Sequence, residues 1–236
     1  MIKSFLIFLI LQISLLGGEQ IILVVAQDFS SSRATLECYE DGKKVFDTLE
    51  VNLGKNGLGW GLGQGELQQN PTDPLKKEGD NKAPAGIFTL SNIFGYEKTN
   101  NFQLAYLYAS ETLICVDDTD SPLYNTIVQM PQIAPKSFEK IKRQDHQYEL
   151  GIVVGHNVQG VKGRGSCIFL HVEKAHEAPT AGCTSMPLKQ IKNIASWLDK
   201  SKKPLLIQIP KSSSQDIVTL YPALRKSKLL QEESGK

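Results

Sequence analysis

Only one stretch of this chain carries a clean helical period. In "PLKQIKNIASWLDK", Leu188, Ile191, Ile194, Ala195 and Leu198 recur three and four residues apart, and Pro187 suits the first turn. The rest reads largely as short extended runs punctuated by Gly, Pro, Asn and Asp. "IILVVAQ", Ile21 to Gln27, is rich in β-branched residues and reads as a buried strand. The Asp41-Gly42 pair between "TLECYE" and "KVFDTLEVNL" is a hairpin signal. "IFTL", "ETLICV", "YELGIVVGHN", "SCIFLHV" and "PLLIQIP" continue the extended pattern. Roughly seven or more strands with one good helix predict a mainly β, β-rich α+β domain. The 236 residues are enough for one sizeable domain.

The irregular segments are less telling. "GKNGLGWGLGQGEL" is Gly-rich, but Asn70-Pro71 and Asp73-Pro74 follow where a phosphate-cradling loop would need a helix. It reads as a flexible loop. Asp117, Asp118 and Asp120 lack the Gly and distal Glu of a calcium loop and read as a solvated turn. "SFEKIKRQDHQYE" has a short helical look. Residues 211–236, after the last strand, read as a loose polar extension.

The first 18 residues stand apart. "MIKSFLIFLILQISLLGG" has a Lys at position 3, then an apolar run from Phe5 to Leu16 broken only by Gln12 and Ser14. That is the layout of a secretory signal, and it is shorter than the ~20 residues a spanning helix needs. The Gly17-Gly18 end offers no clear A-x-A cleavage site, so an uncleaved anchor is the alternative. The expected organisation is a signal over 1–18, a domain over 19–210 and an extension over 211–236. An exported protein of the periplasm or cell envelope follows, with no stable membrane insertion beyond the signal segment. Net charge is +1, which gives no global basic field to attract nucleic acid. The chain beyond the signal holds 25 basic and 25 acidic residues.

The densest chemistry lies in "FLHVEKAHEAPTAGCTSMP", Phe169 to Pro187, with two of the four histidines and one of the four cysteines. In "SCIFLHV", Ile168, Leu170 and Val172 share one strand face, and Cys167, Phe169 and His171 the other. His171 ends that strand. Cys183 follows a loop and precedes the helix, whose N-terminal end would favour a thiolate. A neutral histidine in reach of a thiol makes a nucleophile and base. Gly182 allows close backbone approach, so the amides of Gly182 and Cys183 would face a developing oxyanion. Cys167, His171, His176 and Cys183 also make a set of zinc-ligand types. Against zinc, Cys167 and His171 would stand about 13 Å apart along one strand. The spacing alone leaves open a catalytic pair, a metal site, or a packed His171 with a buried Cys183.

At these residues the sequence resembles the L,D-transpeptidase catalytic domain family (YkuD-like). "GSCIFLHVEKAHEAPTAGCTSMP" is similar to its signature, a strand-end His, a variable loop and a Ser/Thr-x-Gly-Cys core. "KKEGDNKAPAGIFTL" resembles the family's E-G-D-x-x-x-P-x-G turn, and "CVDDTDSPLYN" and "GIVVGHN" resemble other segments of one branch with a T-A-G-C core. The resemblance runs in order from about Ile21 to Pro210. It implies a sandwich or partial barrel, with Cys183 as nucleophile, His171 as base, Gly182 at the oxyanion site and Thr180 at the Ser/Thr position. It implies no metal and no cofactor.

One position departs. Many members have His before the Gly-Cys pair, where this chain has Ala181. The implied partner is the peptidoglycan stem peptide, and the implied activity L,D-transpeptidation with release of D-alanine and capture of the thioester by an amine. L,D-carboxypeptidation, with water as acceptor, and a non-catalytic wall-binding module are the alternatives. If Cys183 is the nucleophile, any disulfide is drawn from Cys38, Cys115 and Cys167.

Overall fold

A computed structural model describes residues 19–65 and 67–231; the signal read in residues 1–18 lies outside them. The chain forms β1 (Gln20–Ala26), β2 (Arg33–Glu40), β3 (Lys43–Lys44), β4 (Leu49–Asn52), β5 (Leu58–Trp60) and the long β6 (Ala83–Gly95). Then come β7 (Ala105–Tyr108), β8 (Leu113–Val116), β9 (Ile127–Gln129), β10 (Phe138–Lys140), β11 (Leu150–Val154), β12 (Phe169–Val172) and β13 (Thr184–Met186). Helix α1 (Leu188–Trp197), β14 (Leu205–Pro210) and helix α2 (Ser214–Leu220) complete the fold.

Local chemistry accounts for several of these. Asp41 and Gly42 both take positive φ, +51° and +72°, the conformation of a tight hairpin turn, and β2 turns back into β3 with Tyr39 opposite Lys44. Pro187, at φ −57° and ψ 145°, leads into α1, which buries Ile191, Ile194 and Ala195 as the periodicity predicts.

The larger sheet runs β1-β14-β6-β11-β12-β13-β4-β2-β3, and β1 also pairs with β2. The path therefore returns on itself as a partly closed barrel. Its thinnest join is between β13 and β4, which share the single pair Ser185–Asn52. Thr184 Oγ1 donates to Gln208 Oε1 at 2.7 Å. Their strands are not neighbours in the ring, so this bond crosses the interior and identifies the inner face. Ile22, Leu36, Val51, Phe88, Ile152, Leu170 and Leu206 belong to the core on this side, together with Ile191 and Ile194 of α1 and Leu198 just after it. Burying each such aliphatic side chain contributes roughly 1.5–3 kcal/mol.

A second, three-stranded sheet, β10-β8-β9, covers part of the outer face. Leu113, Cys115 and Ile141 from this cover pack with Phe94, Tyr148, Phe169 and Cys183 of the barrel side. A disulfide joins Cys115 of β8 to Cys167, just ahead of β12.

Three expectations are corrected. Phe138–Lys140, read as helical, forms β10 because it pairs with Ile114–Val116 along β8; tertiary pairing overrides its local preference. The Gly-rich run is packed rather than flexible: it carries β5, with Leu58 and Trp60 buried, and Trp60 Nε1 donates to Asp73 at 2.8 Å. Residues 211–231 do not hang loose: they include α2, and Ile217, Leu224 and Leu230 join the main core.

Candidate active site

The two strands that carry the candidate pair are parallel neighbours. Leu170 pairs with Thr184, His171 with Ser185 and Val172 with Met186. Side chains paired across a ladder share a face. Cys183, one residue ahead of β13, thus falls on the outer face with Phe169, His171 and Ser185. The alternation read in "SCIFLHV" holds: Ile168 and Leu170 enter the inner core, while Cys167 and Phe169 enter the outer cluster.

The thiol is gripped by the strand beside it. The Phe169 N–H donates to Cys183 Sγ at 3.3 Å, and the Sγ–H donates to the Cys167 carbonyl at 3.5 Å. Aromatic rings wall the site. Phe94 and Phe169 meet edge-to-face at 5.0 Å, Tyr148 and Phe169 at 5.5 Å, and Tyr148 and His171 at 5.3 Å. Gly151 makes room for this wall: a Cβ there would lie 2.1 Å from Phe94 Cζ, so the Phe94 ring crosses the glycine. The Tyr148 hydroxyl donates to Glu139 at 2.7 Å, and the Arg143 guanidinium stands 4.9 Å from the Tyr148 ring centre.

The imidazole has a defined tautomer. His171 Nδ1 lies 2.8 Å from the Val172 carbonyl. A carbonyl only accepts, so Nδ1 carries the proton and Nε2 the free lone pair. Burial lowers the His171 pKa to about 4, against the pull of the Val172 carbonyl. Burial raises the Cys183 pKa to about 12; the Glu139 carboxylate adds to the rise, while the Phe169 N–H and the Lys76 and Arg143 cations oppose it. At neutral pH the pair is thiol and neutral imidazole. The helix-favoured thiolate is not what forms: β13 stands between Cys183 and α1. Cys183 is 8% exposed and His171 4%.

The turn before the cysteine is clamped. Thr180 N–H donates to the Leu53 carbonyl at 2.8 Å, and Lys55 N–H to the Thr180 carbonyl at 2.9 Å. Thr180 Oγ1 accepts from Gly182 N–H at 3.0 Å and donates to the Cys183 carbonyl at 2.6 Å. Gly182 has φ +146°, and a Cβ there would come 3.0 Å from the Lys82 carbonyl oxygen. Only glycine fits this turn without strain. The Gly182 amide, expected to face an oxyanion, is engaged by Thr180 instead. Ala181 is exposed beside it.

The structure separates the remaining candidates. His176 is exposed, near Glu177. Cys167 is held in the disulfide with Cys115, so the two-Cys, two-His zinc set does not assemble. Cys38 is a free, buried thiol on the barrel side away from the pair. Sequence reasoning missed Tyr148, Glu139 and Arg143, which reach the site from the segment read as helical, and Lys76, whose buried ammonium bonds Asp80 at 2.6 Å. The E-G-D turn next to Lys76 is the one signal that could have drawn attention to it.

A family model described as the L,D-transpeptidase catalytic domain (YkuD) matches residues 20–207. Comparison with curated proteins and with solved structures finds no significant match.

Proposed function

Because the chain belongs to the L,D-transpeptidase catalytic-domain family (YkuD), whose function is in peptidoglycan, we propose that it is a cysteine acyltransferase acting on stem peptides. The observation that carries this reading is the placement of His171 and Cys183 on one face of adjacent parallel strands, among buried aromatic rings. Three kinds of group would share the work: nucleophile, base and oxyanion donor.

The starting state is a neutral thiol, so attack and deprotonation are coupled. His171 Nε2 takes the Cys183 proton as Sγ bonds to the carbonyl carbon of the residue before the terminal D-alanine. The carbonyl π electrons move to oxygen. With the Gly182 amide held by Thr180, the Cys183 N–H is the backbone donor left for that oxygen. Collapse breaks the C–N bond. The imidazolium returns its proton to the leaving amine, and D-alanine departs, leaving a thioester on Cys183. Amine capture gives a cross-link and regenerates the thiol. Thr180 and Gly182 act as positioning residues, setting the turn that presents Cys183. Export by the N-terminal segment would bring the enzyme to this substrate in the periplasm or envelope.

Residues 19–236 incubated with disaccharide-tetrapeptides, with products read by mass spectrometry, test the reading. Alanine release with dimer formation, lost in Cys183→Ala, is the expected result. Ala181 favours a second reading. It offers no hydrogen-bonding side chain beside the thioester to orient an incoming amine, and release without dimers would mark a carboxypeptidase. Full activity in Cys183→Ala would reject both.

A further inference from the structure

The strand registers line up six residues in a row across the outer face: Phe94 opposite Gly151, then His171, Ser185, Asn52 and Arg33 in turn. The row begins at the aromatic wall, passes through the imidazole and ends at a cation. It crosses the ring at its thinnest join, the lone Ser185–Asn52 pair. Two of its polar atoms, Ser185 Oγ and Arg33 Nε, are buried with no hydrogen-bond partner among the described residues. Ser185 is 1% exposed. A buried polar atom left unpaired costs roughly 1–3 kcal/mol, and a bound group that completes it recovers that cost.

The connection between β12 and β13 lays two carboxylates along the same row. Asn52 Nδ2 donates to Glu173 Oε2 at 3.1 Å, and Arg33 pairs with Glu177. The row is therefore already complementary to carboxylate groups, and the loop supplies them from within the chain.

We propose that Ser185, Asn52 and Arg33 form a subsite for a carboxylate of the peptide substrate, and that Glu173 and Glu177 are the loop carboxylates this ligand displaces. The inference rests on the acyl-transfer reading and extends it to substrate selection. Strands lie about 4.8 Å apart, which puts Asn52 and Arg33 about 10 and 14 Å across the sheet from His171. An extended peptide covers that span in about three or four residues. The recognised carboxylate thus stands about three or four residues' length from the scissile bond, not next to it.

Equilibrium binding to the full-chain Cys183→Ala protein tests this without turnover. The probes are a disaccharide-tetrapeptide with free carboxylates and the same molecule with its carboxylates converted to amides. Arg33→Gln in that background is expected to weaken binding of the free-carboxylate form about tenfold, as for the loss of one charged hydrogen bond, and to leave the amide form unchanged. Glu173→Gln and Glu177→Gln, which remove the loop competitors while Glu50 stays 4.0 Å from Arg33, are expected to tighten it. These three positions are partly or well exposed, and thermal melts confirm that each variant folds. Equal weakening of both probes by Arg33→Gln, weaker binding in the Glu→Gln variants, or no binding of either probe would overturn the subsite. Failure of the acyl-transfer reading shows separately, as absence of alanine release by the unmutated protein.

Discussion

The inner and outer faces of β12 are made by alternate residues of one short strand, yet they are built on opposite principles. Inward, Ile168 and Leu170 meet aliphatic partners and α1, and burial alone holds them. Outward, Phe169 and His171 meet rings, a thiol and a disulfide, and polar groups are held by specific bonds: Nδ1 to the Val172 carbonyl, Sγ between the Phe169 amide and the Cys167 carbonyl. The inner face tolerates substitution according to volume. The outer patch tolerates it according to whether buried donors and acceptors stay paired. The aliphatic core and the proposed site are separated by one residue along the strand.

The sharpest way to test that separation is His171→Gln. It should lower kcat for alanine release by about 10²–10⁴, the usual contribution of a general base, with little change in melting temperature. A large loss of stability would show that the outer patch also carries the fold. Replacing Cys115 and Cys167 together by Ser should come next. The bridge spans 52 residues, and chain-entropy reasoning assigns such a loop about 4 kcal/mol, read in a urea titration. If stability is unchanged, the small sheet is held by packing alone.

Acid should then weaken the molecule. His171 and His156 are buried with pKa lowered from 6.5 to about 4, by burial in both cases. Between those values the unfolded chain binds the proton and the folded one does not, so stability is full above pH 6.5 and falls as pH drops toward 4. Each contributes up to about 3 kcal/mol. Melts across that range, with His156→Gln flattening the slope, check the sign. The smallest effect belongs to the inner face. Ile194→Val should cost about 0.5–1.5 kcal/mol and leave the rate of Cys183 alkylation unchanged. A change in that rate would mean that the two faces are mechanically coupled.

Much of this arrangement was legible in the chain. The alternation in "SCIFLHV" sorts β12 into its two faces because a half-buried strand has period two. The Gly-Cys core and upstream His singled out Cys183 and His171 through the family resemblance, and the strands place the two on one face. What escaped depends on partners far away. Glu139 and Tyr148 sit in a segment of helical character; its Phe138–Lys140 part becomes a strand only because β8 offers an edge, and Tyr148 falls in the turn that follows. The choice of Cys115 and Cys167 among the cysteines reflects where β8 lies over β12. The Gly182 amide turned out to be occupied because Thr180, two residues back, folds its hydroxyl over the turn. That is a matter of side-chain geometry rather than composition.

The ladder between β12 and β13 carries one more implication. Cys183 and His171, the proposed nucleophile and base, are aligned by backbone hydrogen bonds between adjacent strands, as if in a jig, and not by the length of chain that joins them. The connection from Glu173 to Ala181 can lengthen, shorten or change character without moving either side chain, provided Thr180 still docks on Leu53 and Lys55. In this architecture the count of residues between histidine and cysteine carries no mechanical information. That stretch is where a chain can acquire new substrate contacts while its chemistry stays fixed.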